Sequence, residues 1–250
     1  MNLAMNIDEQ TVYGSKYADW KTWDAEDFGD VDVETAEYYK AELVRAGVVG
    51  SPGLRVLELG FGNGGLMKYL RSEGWNVIGT EVNDRLLDRA KARGFDVRHA
   101  EAMGSFPDAS FDLVLAFDVL EHVPQEALPS LLNEVRRLLA DGGTFLARFP
   151  NGDSPLGLAN QHGDVTHLTT IGSAKARFLC DTAGLRTRLL DAPARSVLSR
   201  NLKRMSYNLL LLPPRWIVEK AVKLLFFPGS DIKFFSSNLV IVADKSVRAG

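Results

Sequence analysis

The stretch RVLELGFGNGGL, from Arg55 to Leu66, constrains the fold more than any other part of the chain. Its apolar run, Val56 to Leu59, predicts a short buried strand that a glycine ends. Four glycines then fall within residues 60–65, as expected where a backbone turns sharply or lets a ligand approach closely. The following residues have helical spacing as far as Gly74. A strand, a glycine loop and a helix predict the opening of a nucleotide-binding β-α-β unit, which a merely structural turn explains less well.

Strand and helix signals alternate along the rest of the chain. The predicted strands are residues 56–59, 76–82, 96–100, 111–120, 144–150, 186–192 and 238–245. The predicted helices are residues 66–74, 85–94, 125–143 and 173–185. This alternation predicts an α/β fold with a doubly wound, seven-stranded and mostly parallel sheet, in which the last two strands provide an antiparallel edge.

The same signals predict one domain built from three parts. Residues 1–53 form an N-terminal helical cap segment, residues 54–192 and 236–250 form the core, and residues 193–235 form a helical insertion before the last strand. The only cysteine, Cys180, is expected to be a small core residue on a helix, and a single cysteine suits a reducing compartment. No secretory signal pattern and no uncharged apolar run of about 18 residues is found, so we expect a cytoplasmic protein.

Charge is distributed unevenly although the net charge is only −3. Residues 1–42 hold eleven acids and three bases, giving 3 − 11 = −8, and residues 195–223 hold seven bases and one acid, giving 7 − 1 = +6. The basic segment is also rich in leucine and aromatic residues. It suits peripheral contact with the inner face of an anionic membrane, a cover over a substrate pocket, or a pair of amphipathic helices packed on the core.

The glycine loop does not by itself identify the nucleotide. Its spacing also satisfies G-x-G-x-x-G, the pattern of dinucleotide-binding folds. Glu81 ends the second predicted strand, 81 − 60 = 21 residues after the first glycine, where a carboxylate accepts ribose hydroxyls in either cofactor class. A nicotinamide-dependent oxidoreductase therefore fits the loop, although no second catalytic domain is evident.

Four sequence blocks taken together are more specific than the loop. VLELGFGNG, GTEVN, FPDASFDLVLAFDVLEHV and LLADGGTFLARFPN, in this order and spacing, resemble the class I S-adenosylmethionine-dependent methyltransferases, whose core is Rossmann-like. WKTWDAEDFG before them and QHGDVTHLTTIGSAKARFLCDTAGL after them resemble a bacterial methyltransferase group of surface-glycan biosynthesis. The resemblance implies that S-adenosyl-L-methionine is the cofactor.

The resemblance also implies roles for individual residues. Glu58 matches the acid that helps to hold the methionine end of the cofactor, and Gly60, Gly62 and Gly64 match the glycines against which the cofactor lies. Glu81 matches the ribose-binding acid. Other matched positions are Val82 beside the adenine ring and Asp118 on the sulfonium side. Many relatives place an acid near the adenine amino group in Asp-Ala after the third strand, where this chain has His99-Ala100-Glu101. Either Glu101 takes that role from a shifted position or adenine is held mainly by backbone and apolar contacts.

Candidate catalytic residues stand in NQHGDVTH, in the loop after the fifth predicted strand. These are His162, Asp164 and His167. Methyl transfer to a hydroxyl requires removal of its proton, for which a histidine oriented by a carboxylate is suitable. The same residues equally suit structural hydrogen bonds in the loop. A divalent metal is the third interpretation, but because no other ligands cluster nearby in the sequence, we assign no metal site.

Further candidates would shape the acceptor side of the site. Trp20 and Trp23 suit an aromatic lid or the packing of an N-terminal helix on the core, and Trp23 is taken as a substrate contact. Arg148 and Asn151 end the fifth predicted strand and are expected to face the acceptor. His122 recurs in the resembling families at the start of a helix, which favours a structural or cofactor-pocket role over catalysis.

The sequence therefore predicts an S-adenosylmethionine-dependent methyltransferase that O-methylates a sugar hydroxyl of a glycan, nucleotide sugar or lipid-linked glycan. A quinone or another small natural product is the alternative acceptor, because such enzymes share every core motif. A non-catalytic cofactor-binding or scaffold protein is the alternative of another class. Nucleic acid is not expected as a partner, because the acidic balance suits phosphate poorly.

Overall fold

The computed structural model describes residues 21, 28–48, 52–194 and 202–246. Its strands are β1 (Arg55–Leu59), β2 (Asn76–Glu81), β3 (Asp96–His99), β4 (Phe111–Phe117), β5 (Leu139–Pro150), β6 (Leu185–Asp191) and β7 (Asn238–Lys245). Its α-helices are α1 (Val33–Arg45), α2 (Gly65–Ser72), α3 (Asp84–Ala92), α4 (Leu128–Leu138), α5 (Leu158–Gly163), α6 (Ser173–Thr182) and α7 (Leu202–Phe226). Short 3₁₀ helices span Ala100–Ser105, Leu120–His122 and Pro155–Gly157.

The seven strands form one sheet in the order β3-β2-β1-β4-β5-β7-β6. Strands β1 to β5 pair in parallel, and β7 pairs antiparallel with both β5 and β6. The predicted doubly wound fold with antiparallel pairing at this end of the sheet is confirmed, and β7 lies inside the edge strand β6. Because parallel strands end at the same edge, the loops after β1, β2, β4 and β5 gather there.

Helices cover both faces of the sheet, because alternate residues of its central strands point in opposite directions. Val56 and Leu113 belong to the core cluster that contains α2, α3 and residues of α1, whereas Leu57 belongs to the cluster that contains α4 and α6. Cys180 is buried in this second cluster, as predicted, and burial raises the pKa of its thiol to about 12.

Two predicted boundaries are wrong at the middle of the chain. The helix predicted over residues 125–143 ends at Leu138, and β5 begins at Leu139, which pairs with Phe111. The strand predicted over residues 111–120 ends at Phe117, and a 3₁₀ helix begins at Leu120. At Leu139 the apolar spacing of the sequence favours a continued helix, but pairing with β4 places this residue in a strand instead.

The described part of the predicted insertion contains one long helix, α7, with Pro213 and Pro214 inside it. Within these residues, the pair of amphipathic helices that was one of the three interpretations is not seen. Among the residues that the structure describes, no helix is long and apolar enough to cross a membrane. The predicted cap segment contributes α1, and Trp20 and Trp23 lie outside the described residues.

Candidate active site at the carboxyl edge of the sheet

A cavity of about 530 Å³ opens where the carboxyl ends of β1, β4 and β5 meet. Its walls come from the glycine loop, from the segments that follow β4 and β5, and from parts of the N-terminal segment. The residues that line it are Lys21, Tyr39, Glu58, Gly60, Phe61, Gly62, Asn63, Leu66, Phe117, Asp118, Glu121, His122, Arg148, Pro150, Ala159, Asn160, Gly163, Asp164, His167 and Asn238. This is the place where open α/β sheets bind their ligands.

The carboxylate of Glu81 holds the glycine loop in place. It accepts hydrogen bonds from the backbone N–H groups of Gly62 at 3.2 Å, Val82 at 2.8 Å and Asn83 at 3.2 Å. Gly60 has φ +61°, and a Cβ there would stand 2.8 Å from Cγ2 of Val119. The loop thus requires glycine at residue 60 and is fixed to the end of β2 by one buried acid.

Glu58 faces the cavity from the end of β1. Its side chain is buried, and Oε2 has no hydrogen-bond partner within the described structure. Burial, together with the nearby Glu81, raises the pKa of Glu58 well above its ordinary value. A buried acceptor without a donor is costly unless a ligand supplies one, so this oxygen suits an incoming ammonium group.

Asp118 and Arg148 form an ion pair at the wall of the cavity. Asp118 has φ +57°, an uncommon conformation for a residue other than glycine, and its N–H donates to the carbonyl of Arg148. The guanidinium of Arg148 also lies over the rings of Tyr38 and Phe117, 5.4 and 5.2 Å from their centroids. Backbone strain of this kind clusters at functional sites, and here the hydrogen bond and the ion pair with Arg148 hold Asp118 in this conformation at the cavity wall.

His167 stands between two carboxylates. Its Nδ1 atom lies 3.2 Å from the carbonyl oxygen of Gln161, and its Nε2 atom lies 3.9 Å from Oε1 of Glu121 and 3.7 Å from Oδ2 of Asp164. Because a carbonyl only accepts, a neutral His167 carries its proton on Nδ1, which leaves Nε2 as the basic nitrogen. The predicted pairing of His167 with Asp164 is therefore present in the structure.

The carboxylates on either side of His167 differ in their surroundings. Asp164 bonds to Nζ of Lys21 at 2.7 Å and to the hydroxyl of Thr166 at 2.6 Å. Burial acts to raise the pKa of Asp164, but these contacts outweigh it and hold the pKa well below its usual range. Glu121 is buried, and within the described part of the chain neither of its oxygens has a hydrogen-bond partner. Burial, followed by the charge of Asp118, raises the pKa of Glu121 well above its ordinary value.

His122 lies against His167, with the ring centroids 4.6 Å apart. Its Nδ1 atom is 2.9 Å from Oγ1 of Thr166, and burial lowers its pKa to about 4, so it is neutral at pH 7. Ligand atoms of Glu121, His122 and His167 all lie within 4.8 Å of one another, and the three residues form a group able to hold a metal ion. The expectation that no further ligands cluster near His167 is therefore wrong.

Several predicted site residues lie outside the lining of this cavity, among them Glu81, whose carboxylate is bonded to the backbone of the glycine loop. His162 is exposed on α5, whereas its neighbour Gln161 is buried, because adjacent helical residues point about 100° apart. Gly64 caps α2 with φ +75° and packs against the ring of Phe28, so its role is structural. Asn151 is buried, and its side-chain amide donates hydrogen bonds to the backbone carbonyls of residues 233 and 236.

The residues predicted to hold adenine also lie apart from the cavity. Val82 is 39% exposed, and the side chain of Glu101 is 76% exposed and faces His99 at 3.6 Å. Neither lines the cavity. Trp23, the predicted substrate contact, falls outside the described residues.

Lys21, Tyr39 and Glu121 are among the lining residues that the sequence analysis did not single out. Glu121 precedes His122 in LEHV, and an acid next to a histidine was the sequence pattern that could have identified it as a site residue. Lys21 lies within WKTWDAEDFG, but nothing in that block distinguishes it from an ordinary surface lysine. Tyr39 lies outside the quoted blocks, and no local pattern distinguishes it from an ordinary core residue.

Comparison with known proteins places this site in a family context. Residues 57–147 match the family model described as a methyltransferase domain. A sterol 24-C-methyltransferase of Yarrowia lipolytica is 30% identical over 131 residues, which are 44% of this chain and 34% of that protein. A "probable S-adenosylmethionine-dependent methyltransferase" of Mycolicibacterium smegmatis is 32% identical over 142 residues, 53% of this chain and 52% of that protein.

A third relative is the ubiquinone biosynthesis O-methyltransferase of Pseudomonas aeruginosa, 33% identical over 107 residues, 40% of this chain and 44% of that protein. The chain thus spans about half or less of the length of these relatives. A solved S-adenosylmethionine-dependent methyltransferase from Archaeoglobus fulgidus has a TM-score of 0.62 at 22% identity, covering 84% of this chain and 94% of that one.

The solved structure confirms the predicted fold. The family match and the relatives support the predicted methyltransferase domain and its cofactor, S-adenosylmethionine. None of the three relatives is named for a glycan acceptor, so the acceptor class remains a prediction.

Proposed function

We propose that this chain is an S-adenosylmethionine-dependent methyltransferase whose acceptor is a hydroxyl of a polar, sugar-like molecule. One observation carries the proposal: a glycine loop with a buried, unpartnered Glu58 shares a cavity with the His167, Glu121 and Asp164 cluster. When bound, S-adenosylmethionine supplies a methyl group on a positively charged sulfur, and the resulting thioether leaves without needing a proton. The chain must therefore bind the cofactor and the acceptor, orient them toward each other, and remove one proton from the acceptor hydroxyl.

Glu58 would bind the methionine portion of the cofactor, and Glu81 would bind its ribose. Glu58 would accept from the amino group of the methionine portion, because its Oε2 atom has no donor of its own. Glu81 would accept from the ribose hydroxyls while its bonds to Gly62, Val82 and Asn83 keep it in place. The bare backbone at Gly60 and Gly62 leaves room for this close approach.

His167 is the residue placed to take the proton. Nε2 of His167 would accept the proton of the acceptor hydroxyl as that oxygen takes the methyl group. Asp164, 3.7 Å away, would stabilise the resulting imidazolium, and the contact with Gln161 keeps the ring oriented. Orientation of donor and acceptor in the cavity would contribute further to the rate.

The lining supports a hydroxyl-rich acceptor. Beyond the glycine loop, the wall presents charged and amide side chains, among them Lys21, Asp118, Arg148, Asn160 and Asn238. Such groups suit the hydroxyls of a sugar in a glycan, a nucleotide sugar or a lipid-linked glycan. A buried polar group recognises an acceptor strongly only when the acceptor supplies the matching hydrogen bond.

A quinone or another small natural product is the second candidate. Tyr39 and Phe117 bring two aromatic rings to the same wall, and one relative is named as a ubiquinone biosynthesis enzyme. A ring acceptor would lie against these two side chains. Acceptor screening decides between the two classes.

The first experiment is calorimetric titration of S-adenosylhomocysteine into the purified protein, with Glu81→Ala as the test variant and Glu101→Gln as the control. One-to-one binding that Glu81→Ala weakens and Glu101→Gln leaves unchanged supports the proposal. Methyl-labelled cofactor incubated with nucleotide sugars, glycan fragments and quinols then identifies the acceptor. A folded protein that binds no S-adenosylhomocysteine overturns the proposal, and binding of NADH in its place would favour an oxidoreductase.

A further inference from the structure

Helix α7 presents its apolar side chains to solvent. Leu210, Ile217 and Leu224 are 75%, 59% and 76% exposed. Seven residues make nearly two helical turns, so these three side chains form one stripe along the helix. On the opposite side of the helix, Glu219 and Lys223 are partly covered. The arrangement is the reverse of that expected for an amphipathic helix packed on a core.

Further apolar residues widen this surface. Trp216 and Leu225, which lie on either side of the stripe, are both more than 60% exposed. By contrast, α4 turns Leu128 and its other apolar residues into the core. Scattered exposed leucines are ordinary, but a continuous apolar helix surface marks a site that something covers.

The charges of α7 and of the sequence before it indicate what covers the surface. Residues 195–223 carry a net charge of 7 − 1 = +6. Lys220 is exposed beside the stripe and lies 5.8 Å from the ring centroid of Trp216, whereas Arg215 is exposed on the other side of the helix. The one acid of the segment, Glu219, is paired with Lys223 at 3.3 Å. Apolar residues flanked by lysine, arginine and tryptophan are typical of helices that lie in the interface of an anionic membrane.

We propose that α7 docks on an anionic lipid surface, with the stripe Leu210, Ile217 and Leu224 in the boundary between headgroups and acyl chains. The basic residues would contact the headgroups, since each contributes to attraction by anionic lipid. This inference stands on α7 alone and does not require the proposed function.

The segment after α7 ties this surface to the cavity. Asn151 and Ser154, at and beyond the end of β5, bond to the carbonyls of residues 233, 234 and 236. Two residues further on, Asn238 lines the cavity. Docking of α7 would therefore hold the cavity close to the membrane. Under the proposed function, this favours the lipid-linked form of the acceptor.

Vesicle co-sedimentation of the full chain tests the proposal. The vesicles are phosphatidylcholine alone or mixed with phosphatidylglycerol, at low and high salt. We expect sedimentation with the anionic vesicles, weakened by salt because exposed charges are screened. The double variant Ile217→Glu and Leu224→Glu should bind at least about tenfold more weakly, because two apolar side chains leave the bilayer. Val33→Glu, at a 51% exposed position on α1, should bind as the unmodified chain does.

Two results would overturn the proposal. The chain could stay in the supernatant with anionic vesicles, or the double variant could sediment as the unmodified chain does. A dimer seen by light scattering without lipid, and lost in the double variant, would assign the stripe to a second copy instead. Titration with S-adenosylhomocysteine on the same variants keeps the two questions separate, because neither substitution touches the cavity.

Discussion

The Nε2 atom of His167 lies 3.9 Å from Oε1 of Glu121, a buried acid whose oxygens accept no hydrogen bond from the described residues. This contact joins the segment after β4 to the segment after β5 at one wall of the cavity. The two histidines that the sequence offered as bases differ in position: His167 lines the cavity, whereas His162 is exposed on α5.

His167→Ala should lower kcat about 10²- to 10⁴-fold, which is the usual contribution of a general base. The affinity for S-adenosylhomocysteine should stay unchanged, since His167 does not contact the residues assigned to the cofactor. Initial rates with the identified acceptor measure the first quantity and calorimetry the second. His162→Ala is the matched control and should keep full activity. Equal loss in both variants would contradict the assignment of the base.

Glu121→Gln should make stability less dependent on pH. Burial and the charge of Asp118 raise the pKa of Glu121 in the folded state, so the folded chain retains a proton that the unfolded chain has lost. The free energy of unfolding of the unmodified protein therefore falls as pH rises from the ordinary carboxyl pKa toward the raised one. Urea unfolding across this range should show a gap in favour of Glu121→Gln that widens with pH. A constant gap would refute this.

Binding of S-adenosylhomocysteine should release a proton from Glu58. Burial, followed by the charge of Glu81, raises the pKa of Glu58 in the free protein, and an ammonium group beside it would lower that pKa. Affinity should then increase with pH between the two pKa values. Calorimetry in buffers of different ionisation enthalpy counts the protons. Glu58→Gln should bind more weakly and release fewer protons, whereas an unchanged proton count would place the ammonium elsewhere.

Gly64→Ala and Gly74→Ala separate two costs of replacing a glycine. Both residues have positive φ, +75° and +81°. A Cβ at Gly74 would meet nothing within 4 Å, so that variant should lose about 1–2 kcal/mol of unfolding free energy from backbone strain alone. A Cβ at Gly64 would stand 2.6 Å from the ring of Phe28, and the loss should be larger by about 1–3 kcal/mol. Urea unfolding measures both, and equal losses would show that Phe28 yields freely.

Local sequence determined the parts of this protein that depend on neighbouring residues. The apolar run Val56 to Leu59, the glycines after it and the helical spacing as far as Gly74 predicted β1, the loop and α2. The alternation of such units predicted the sheet. Glu58, Gly60, Gly62, Glu81 and Asp118 were located correctly at its carboxyl edge, because strand ends and glycine conformations are set by short-range sterics and periodicity.

Only the tertiary structure decided the roles of residues that meet partners far away in the chain. Asn151 was expected to face the acceptor, but its side-chain amide donates hydrogen bonds to two carbonyl groups in the segment after α7. Glu121 and Lys21 belong to the site because the fold brings these distant parts of the chain together. Glu121 lies beside His167, and Lys21 lies beside Asp164. The outward stripe of α7 has the same origin, since helical spacing fixes which residues share a face but not whether a core lies opposite it. Contacts between distant segments depend on how sheets and helices pack, and no local pattern encodes them.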